Sequence, residues 1–180
     1  MEHKKIARGR RKKVALVAYD NTKFDLLEWA GHNGDLLSEH DVFATGMTGG
    51  MLERKLCLKI TKLQSGALGG DQQIGSGIPE GVIDFLTFFW DPLQAHSHDL
   101  AVKVLLRMAV LWNIPVACDR TSADFMVTST LMDLEYDRLL PEHAAVWRTP
   151  EATSPLVGCS LPARATEAVS SKDHLPSARS

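Results

Sequence analysis

Short apolar runs alternate with amphipathic helical segments along this chain, and that alternation restricts its fold more than any other feature. The run IDFLTFF at residues 83–89 is apolar on both faces, as a strand at the centre of a parallel sheet must be. Further strands are predicted at residues 13–18, 41–44, 58–63 and 116–118. Repeated strand–helix units of this kind predict an α/β fold with a central, mainly parallel sheet flanked by helices in three layers.

A helix is predicted after each strand. The helices begin near Asn21, after the turn ATGMTGG at 44–50, near Gly70, at residue 99 and after a cap at Thr121 or Ser122. The positions expected to face the core are Phe24, Leu27 and Ala30 on the first helix, and Val104, Leu105, Met108, Leu111 and Trp112 on the fourth helix.

The composition of the two chain ends differs from that of the middle. With 180 residues, 44% hydrophobic content and a net charge of −2, the chain is long enough for one globular domain with a sizeable core. The first residues, MEHKKIARGRRKK, are dominated by lysine and arginine, and the last thirty or so by proline, serine and alanine. We therefore expect a flexible basic arm at 1–12, one α/β domain at 13–148 and a disordered tail at 149–180.

Several function classes are disfavoured by the same sequence. The apolar run VALVA at 14–18 is too short for a membrane span or a signal-peptide core, which favours a cytoplasmic location. Cys57, Cys118 and Cys159 form an odd number without C-x-x-C spacing, so reduced thiols are expected rather than disulfides or a zinc cluster. The basic arm contains no aromatic residue that could stack on bases, so nucleic acid is not the expected partner.

Polar residues and glycines follow the predicted strands, at the sheet edge where ligands bind in such folds. They are Tyr19, Asp20 and Lys23; Thr45, Gly46, Met47 and Thr48; Ser65, Gly66 and Asp71; and Asp91, His96 and His98. Hydroxyls, glycine amides and a lysine suit a phosphate group, whereas carboxylates and a histidine suit proton transfer. The set predicts a site for a small phosphorylated molecule. Neither a Walker motif nor GxGxxG is present, which disfavours nucleotide cofactors.

Five motifs add a resemblance to a known family. VAYDNTK, ATGMTGG, SGALGGDQQIG, FFWDPLQAHSHD and WNIPVACDRTSADF occur in the order and spacing of methylglyoxal synthase, covering nearly all of residues 13–127. The resemblance implies a lyase that converts dihydroxyacetone phosphate into methylglyoxal and inorganic phosphate, as a bypass of glycolysis, without metal or organic cofactor. It also implies a homohexamer and inhibition by phosphate.

The resemblance further implies roles for individual residues. Asp71 would be the base that removes a proton next to the ketone, and His98 would polarise the carbonyl and carry protons between the two oxygens. Asp20 and Asp91 would orient His98 or tune Asp71. The substrate would be bound by Tyr19, Lys23, Thr45, Gly46, Met47, Thr48, Ser65, Gly66 and His98, with Gly46, Met47 and Gly66 acting through their amides.

Plainer interpretations stay open for the same side chains. Each of Asp71, Asp20 and Asp91 could cap a helix, as could the threonines, and Lys23 could be a solvated helix residue. The pair His96 and His98 could bind a metal, although the sequence offers no matched third ligand.

Three positions depart from the family pattern. Tyr19 replaces a histidine, Met47 a threonine and Ala101 an aspartate, so slower turnover or a changed pH dependence is expected. The alternative function is a non-catalytic module that binds a phosphate-bearing effector, like the similar domain attached to carbamoyl phosphate synthetase. The presence of both Asp71 and His98 disfavours that alternative, because simple binding requires neither.

Overall fold

A computed structural model describes residues 3–93 and 99–141, which fall within one compact unit. Their elements are β1 (His3–Arg8), β2 (Lys13–Ala18), α1 (Lys23–His32), α2 (Gly34–Ser38), β3 (Asp41–Thr45), α3 (Gly46–Leu56), β4 (Ile60–Leu63), α4 (Gly70–Gly77), β5 (Phe85–Phe89), α5 (Asp99–Leu111), β6 (Val116–Ala117), α6 (Arg120–Val127) and β7 (Tyr136–Pro141). Within these ranges no helix is both long and apolar enough to cross a membrane.

Five of the strands form a parallel sheet in the order β4-β3-β2-β5-β6. Within this sheet, β2 is the central strand and comes first. The chain then adds β3 and β4 on one side of β2, and afterwards β5 and β6 on the other side. The point where the direction reverses lies between β2 and β5, and crevices at such points bind ligands. The predicted fold class is confirmed: a central parallel sheet flanked by helices.

The alternating side chains of β2 divide the core into two layers. Val14, Leu16 and Ala18 pack with buried residues of α1, α3 and α6 on one face of the sheet. Ala15 and Val17 pack with α4 and α5 on the other face. Because both faces are covered, every residue from 14 to 18 is buried, which explains the continuous apolar run.

The helix faces differ in part from the expected ones. Phe24 and Val104, which were expected in the core, are exposed, and this expectation was wrong. On α1 the buried positions are shifted to include Leu26 and Trp29, and the indole of Trp29 donates a hydrogen bond of 2.8 Å to the Asp124 carboxylate on α6. The cap of α6 is Asp119, whose side chain accepts the amide of Ser122, rather than Thr121 or Ser122 itself.

The expected flexibility of the basic arm is contradicted by β1. Its residues pair antiparallel with β7, with Ile6 opposite Arg138 and Arg8 opposite Tyr136. The two strands form a ribbon separate from the five-stranded sheet. Local sequence could not reveal this pairing, because the partner strand lies far along the chain. The expected domain end at 148 and the tail at 149–180 lie outside the described residues.

Candidate active site

A cleft of about 300 Å³ lies at the carboxyl ends of β2, β3 and β4. Most of the predicted site residues line it: Tyr19, Asp20, Lys23, Thr45, Met47, Thr48, Ser65, Gly66 and Asp71. Its apolar wall includes Val17, Phe88, Val102 and Leu105, which the sequence analysis assigned to no site. The edge of a parallel sheet therefore brings together three segments that are far apart in sequence.

Asp71 stands in the first turn of α4, beside the loop that precedes it. The helix is capped by Gly69, whose positive φ of 91° suits glycine, so the interpretation of Asp71 as an N-cap is wrong. The amide of Gly70 donates to the carbonyl of Ser65 at 2.9 Å and folds the loop back on itself. Both carboxylate oxygens of Asp71 then lie 3.5 Å from the position that a Cβ on Gly66 would take.

Lys23 supplies a positive charge to the lining of the cleft. Its side chain is only 13% exposed, so the interpretation of a solvated helix lysine is wrong. The ammonium group pairs with the carboxylate of Asp20, which is itself exposed, and lies 3.4 Å from the sulfur of Met47. Helix α1 is capped at Thr22, so Asp20 does not cap it. Asp20 instead holds Lys23 at the cleft.

Three side chains with hydroxyl groups, Thr45, Thr48 and Ser65, line the cleft. Thr45 is the N-cap residue of α3, and Ser65 precedes a 3₁₀ turn at Gly66–Leu68, yet neither side chain makes a capping hydrogen bond. Thr48, in the first turn of α3, is 1% exposed, and its buried Oγ1 has no hydrogen-bond partner among the described residues. Such a hydroxyl is costly unless a ligand supplies the partner. The N-terminus of α3 favours an anionic one.

Gly46 contributes to the site in a different way from the one expected. Its amide donates to the carbonyl of Gln64 at 3.2 Å, so the expectation that this amide holds the phosphate is not met. A Cβ on Gly46 would stand 3.3 Å from the carbonyl oxygen of Leu63 and 3.4 Å from the nitrogen of Ser65. The glycine allows the start of α3 to pack closely against the end of β4.

Asp91 is placed beside the cleft rather than in its lining. Its carboxylate accepts hydrogen bonds from the side-chain amide of Asn21 and, at 2.9 Å, from the backbone of Leu93. These hydrogen bonds link the loops after β2 and β5, and the expected role of Asp91, to orient His98 or tune Asp71, stays a prediction. Asn21, which directly follows Asp20, is a partner of Asp91 that the sequence analysis did not identify.

Tyr19 and His98 are the remaining predicted site residues. Tyr19 lines the cleft, and its ring packs edge-to-face on Phe88 with centroids 5.3 Å apart. His98 and its neighbour His96 lie outside the described residues, and the role of His98 stays a prediction. In residues 3–93 and 99–141, no three His, Cys, Asp or Glu residues come together as a metal site.

The chain is similar to known proteins over most of its length. The family model of the MGS-like domain matches residues 25–118. A protein named methylglyoxal synthase from Cellvibrio japonicus is 52% identical over 145 residues, which are 81% of this chain and 94% of that protein. The chain belongs to the methylglyoxal synthase family. The predicted resemblance is thereby confirmed.

Other members of the methylglyoxal synthase family agree. The methylglyoxal synthase of Coxiella burnetii (strain RSA 493) is 48% identical over 134 residues, covering 74% of this chain and 94% of that protein. A crystal structure of methylglyoxal synthase from Elizabethkingia anophelis NUHP1 is similar with a TM-score of 0.77 and 40% identity, covering 81% of this chain and 96% of that one.

Proposed function

We propose that this chain is a methylglyoxal synthase, a carbon–oxygen lyase that converts dihydroxyacetone phosphate into methylglyoxal and inorganic phosphate. The observation that carries the proposal is one cleft that holds a carboxylate, Asp71, together with the cation Lys23 and the buried hydroxyl of Thr48, which has no partner among the described residues. Relatives that bear this enzyme's name at about half identity support the same activity.

The phosphate end of the substrate binds at the start of α3. Lys23 neutralises part of its charge, and the hydroxyls of Thr45, Thr48 and Ser65 donate hydrogen bonds to its oxygens. The Thr48 hydroxyl gains in this way the partner that it lacks in the described residues. The phosphate is therefore fixed before the reaction begins, and the carbon chain extends toward Asp71.

Proton transfer begins at the hydroxymethyl carbon of the substrate. Asp71 takes the proton, the C–H electron pair forms the enediolate, and His98 polarises the ketone oxygen and moves protons between the two oxygens. The electron pair then expels phosphate as the C–O bond breaks. The enol that remains takes up a proton at its methylene carbon and becomes methylglyoxal. Loss of phosphate requires that the C–O bond stand perpendicular to the enediolate plane, which a fixed phosphate can impose.

The wider setting follows from the same proposal. The enzyme acts in the cytoplasm as a homohexamer, without metal or organic cofactor, in a bypass of glycolysis, and inorganic phosphate inhibits it by occupying the substrate's phosphate position. Exposed apolar side chains such as Phe24, Leu68 and Phe125 are suited to subunit contacts. We also propose that the domain ends near residue 148, that the remaining residues form a tail and that nucleic acid is not a partner.

The direct experiment compares three proteins after metal chelation. Wild type is expected to release methylglyoxal and phosphate from dihydroxyacetone phosphate. Asp71→Asn should lose at least ~100-fold of that activity, because one acid–base group contributes ~100- to 10,000-fold. Asp35→Asn, the same change on the exposed residue Asp35, should keep full activity. Binding of phosphate compounds without turnover by wild type would instead support the non-catalytic module.

A further inference from the structure

A second cavity, of about 480 Å³, lies at the opposite edge of the sheet from the cleft. Its lining includes Lys12, Asp84 and Pro115, which precede β2, β5 and β6 respectively. The cleft lies at the carboxyl ends of the strands, so about the length of one strand, roughly 17–20 Å, separates the two. A ligand in this cavity would not touch the groups assigned to the lyase reaction.

Buried positive charge is concentrated beside this cavity. Arg138 on β7 and Lys12 line it, both 3% exposed, and the mostly buried Arg8 on β1 lies next to them. Asp84 is the buried carboxylate of the cluster, and both its oxygens are engaged: one pairs with Arg8 at 2.9 Å and the other accepts the amide of Lys13 at 3.2 Å. Cations therefore outnumber buried carboxylates in the described part of this cluster.

The other acids nearby are exposed rather than buried. Asp137 is half-exposed and pairs with Lys5 at 3.7 Å. Asp133 and Glu135 act through their charges on Lys12, whose ammonium already donates to the carbonyls of Gly9 and, at 2.6 Å, Leu134. Among the ion pairs of the described residues, none joins these acids to Arg138.

Arg138 is the group with unused binding capacity. Its Nε and Nη1 are buried, and no described residue accepts a hydrogen bond from either. Burial, followed by repulsion from Arg8, lowers the pKa of Arg138. A buried guanidinium without an acceptor is unfavourable, and its planar fork of N–H groups matches the two oxygens of a carboxylate or phosphate.

The rest of the lining determines what such an anion could carry. Phe85, Ile114, Met126 and Met132 form apolar walls around the charged end. A volume of this size exceeds that of a single inorganic ion and falls within the range of small-molecule sites. We propose that this cavity binds an organic oxyanion, in which a carboxylate or phosphate head is anchored by Arg138 and a compact apolar body packs against these walls.

Calorimetric titration of the full chain with benzoate and with phenyl phosphate tests the proposal. Wild type should bind at least one probe, and the ranking of the two distinguishes a carboxylate from a phosphate head. Arg138→Leu should weaken that binding at least tenfold, and Arg138→Lys, which keeps the charge but not the fork, should fall in between. Arg54→Leu is the matched control, because Arg54 is exposed and remote from the cavity lining, and it should bind as wild type does.

Folding and the active cleft need separate controls. Arg138→Leu replaces a buried charge, which has no ion-pair partner among the described residues, by an apolar side chain, so the thermal midpoint should stay equal or rise, and turnover should be unchanged. Lys23→Met removes the cation of the active cleft, so it shows whether the probes bind there. It should leave the affinity for benzoate and phenyl phosphate unchanged. The proposal is overturned if neither probe binds to wild type, if Arg138→Leu binds equally well, or if only Lys23→Met abolishes binding. The binding and thermal readouts need no lyase activity, so this proposal and the proposed function can fail independently.

Discussion

Both carboxylate oxygens of Asp71 lie 3.5 Å from the point that a Cβ on Gly66 would occupy. The backbone of Gly66 thus forms the surface directly in front of the proposed base. In the mechanism that we propose, the substrate carbon that gives up its proton to Asp71 approaches through that space. The proposed mechanism therefore requires that Gly66 have no side chain.

Gly66→Ala should separate activity from folding. The added methyl group makes only ordinary contacts and the position does not need positive φ, so the thermal midpoint should change little. Displacement of the substrate by about 1 Å should lower kcat/KM by ~100-fold. Gly70→Ala is the contrast, because its methyl group would overlap the backbone carbonyl of Gln64 and should destabilise the protein itself. Full activity in Gly66→Ala would contradict the assigned approach to Asp71.

Thr48→Val tests the phosphate end of the cleft. A hydrogen bond to a charged group contributes about 1.5–3 kcal/mol, so KM for dihydroxyacetone phosphate should rise about 10- to 100-fold. The free energy of unfolding without ligand should not fall, because valine removes a buried hydroxyl that has no partner in the described residues. Thr61→Val, on the exposed surface of β4, should leave both quantities unchanged. A stability loss at unchanged KM would assign Thr48 to the core alone.

The hydrogen bond between Asn21 and Asp91 predicts that substitutions at the two residues lower kcat in a non-additive way. Asn21→Ala and Asp91→Ala should each lower kcat by about three- to tenfold, the range that one hydrogen bond of ~0.5–1.5 kcal/mol allows. The double variant should be no slower than either single variant, because each single change already breaks the same link between the two loops. Steady-state kinetics of the four proteins measure this. Multiplied losses in the double variant would mean that Asp91 acts on the reaction by itself.

His40 predicts a specific pH dependence of stability. Burial lowers its pKa below the ordinary value of 6.5, and its Nδ1 accepts the amide of Lys12 at 3.5 Å. On acidification the unfolded chain binds the proton first, so stability should fall as pH drops through about 6.5 and level off below the folded pKa. Thermal midpoints between pH 8 and pH 5 should show a smaller fall in His40→Gln. Equal profiles for the two proteins would contradict the sign argued here.

The sequence allowed the sheet to be predicted because its strands are covered on both sides. The run at 83–89 contains the strand Phe85–Phe89, and the predicted strand at 13–18 coincides with β2. The ribbon of β1 and β7 was missed for a physical reason. Its lysines and arginines look like a solvated segment until the distant partner strand is known.

The candidate site shows the same division. The ends of parallel strands must meet at one edge, so the convergence of Lys23, Thr48 and Asp71 could be predicted. The hydrogen-bond or ion-pair partner of each side chain could not be predicted, because several possible partners lie within reach of each side chain once the fold is formed. The Asp20–Lys23 and Asn21–Asp91 pairs are of this kind.

A single NMR time course tests whether the protein converts dihydroxyacetone phosphate into methylglyoxal and inorganic phosphate. Phosphorus and proton NMR spectra would follow dihydroxyacetone phosphate with the metal-free wild-type protein in a single tube. We expect inorganic phosphate and methylglyoxal to appear in equal amounts, without glyceraldehyde 3-phosphate. Accumulation of glyceraldehyde 3-phosphate, release of phosphate together with dihydroxyacetone, or an unchanged substrate signal would contradict it.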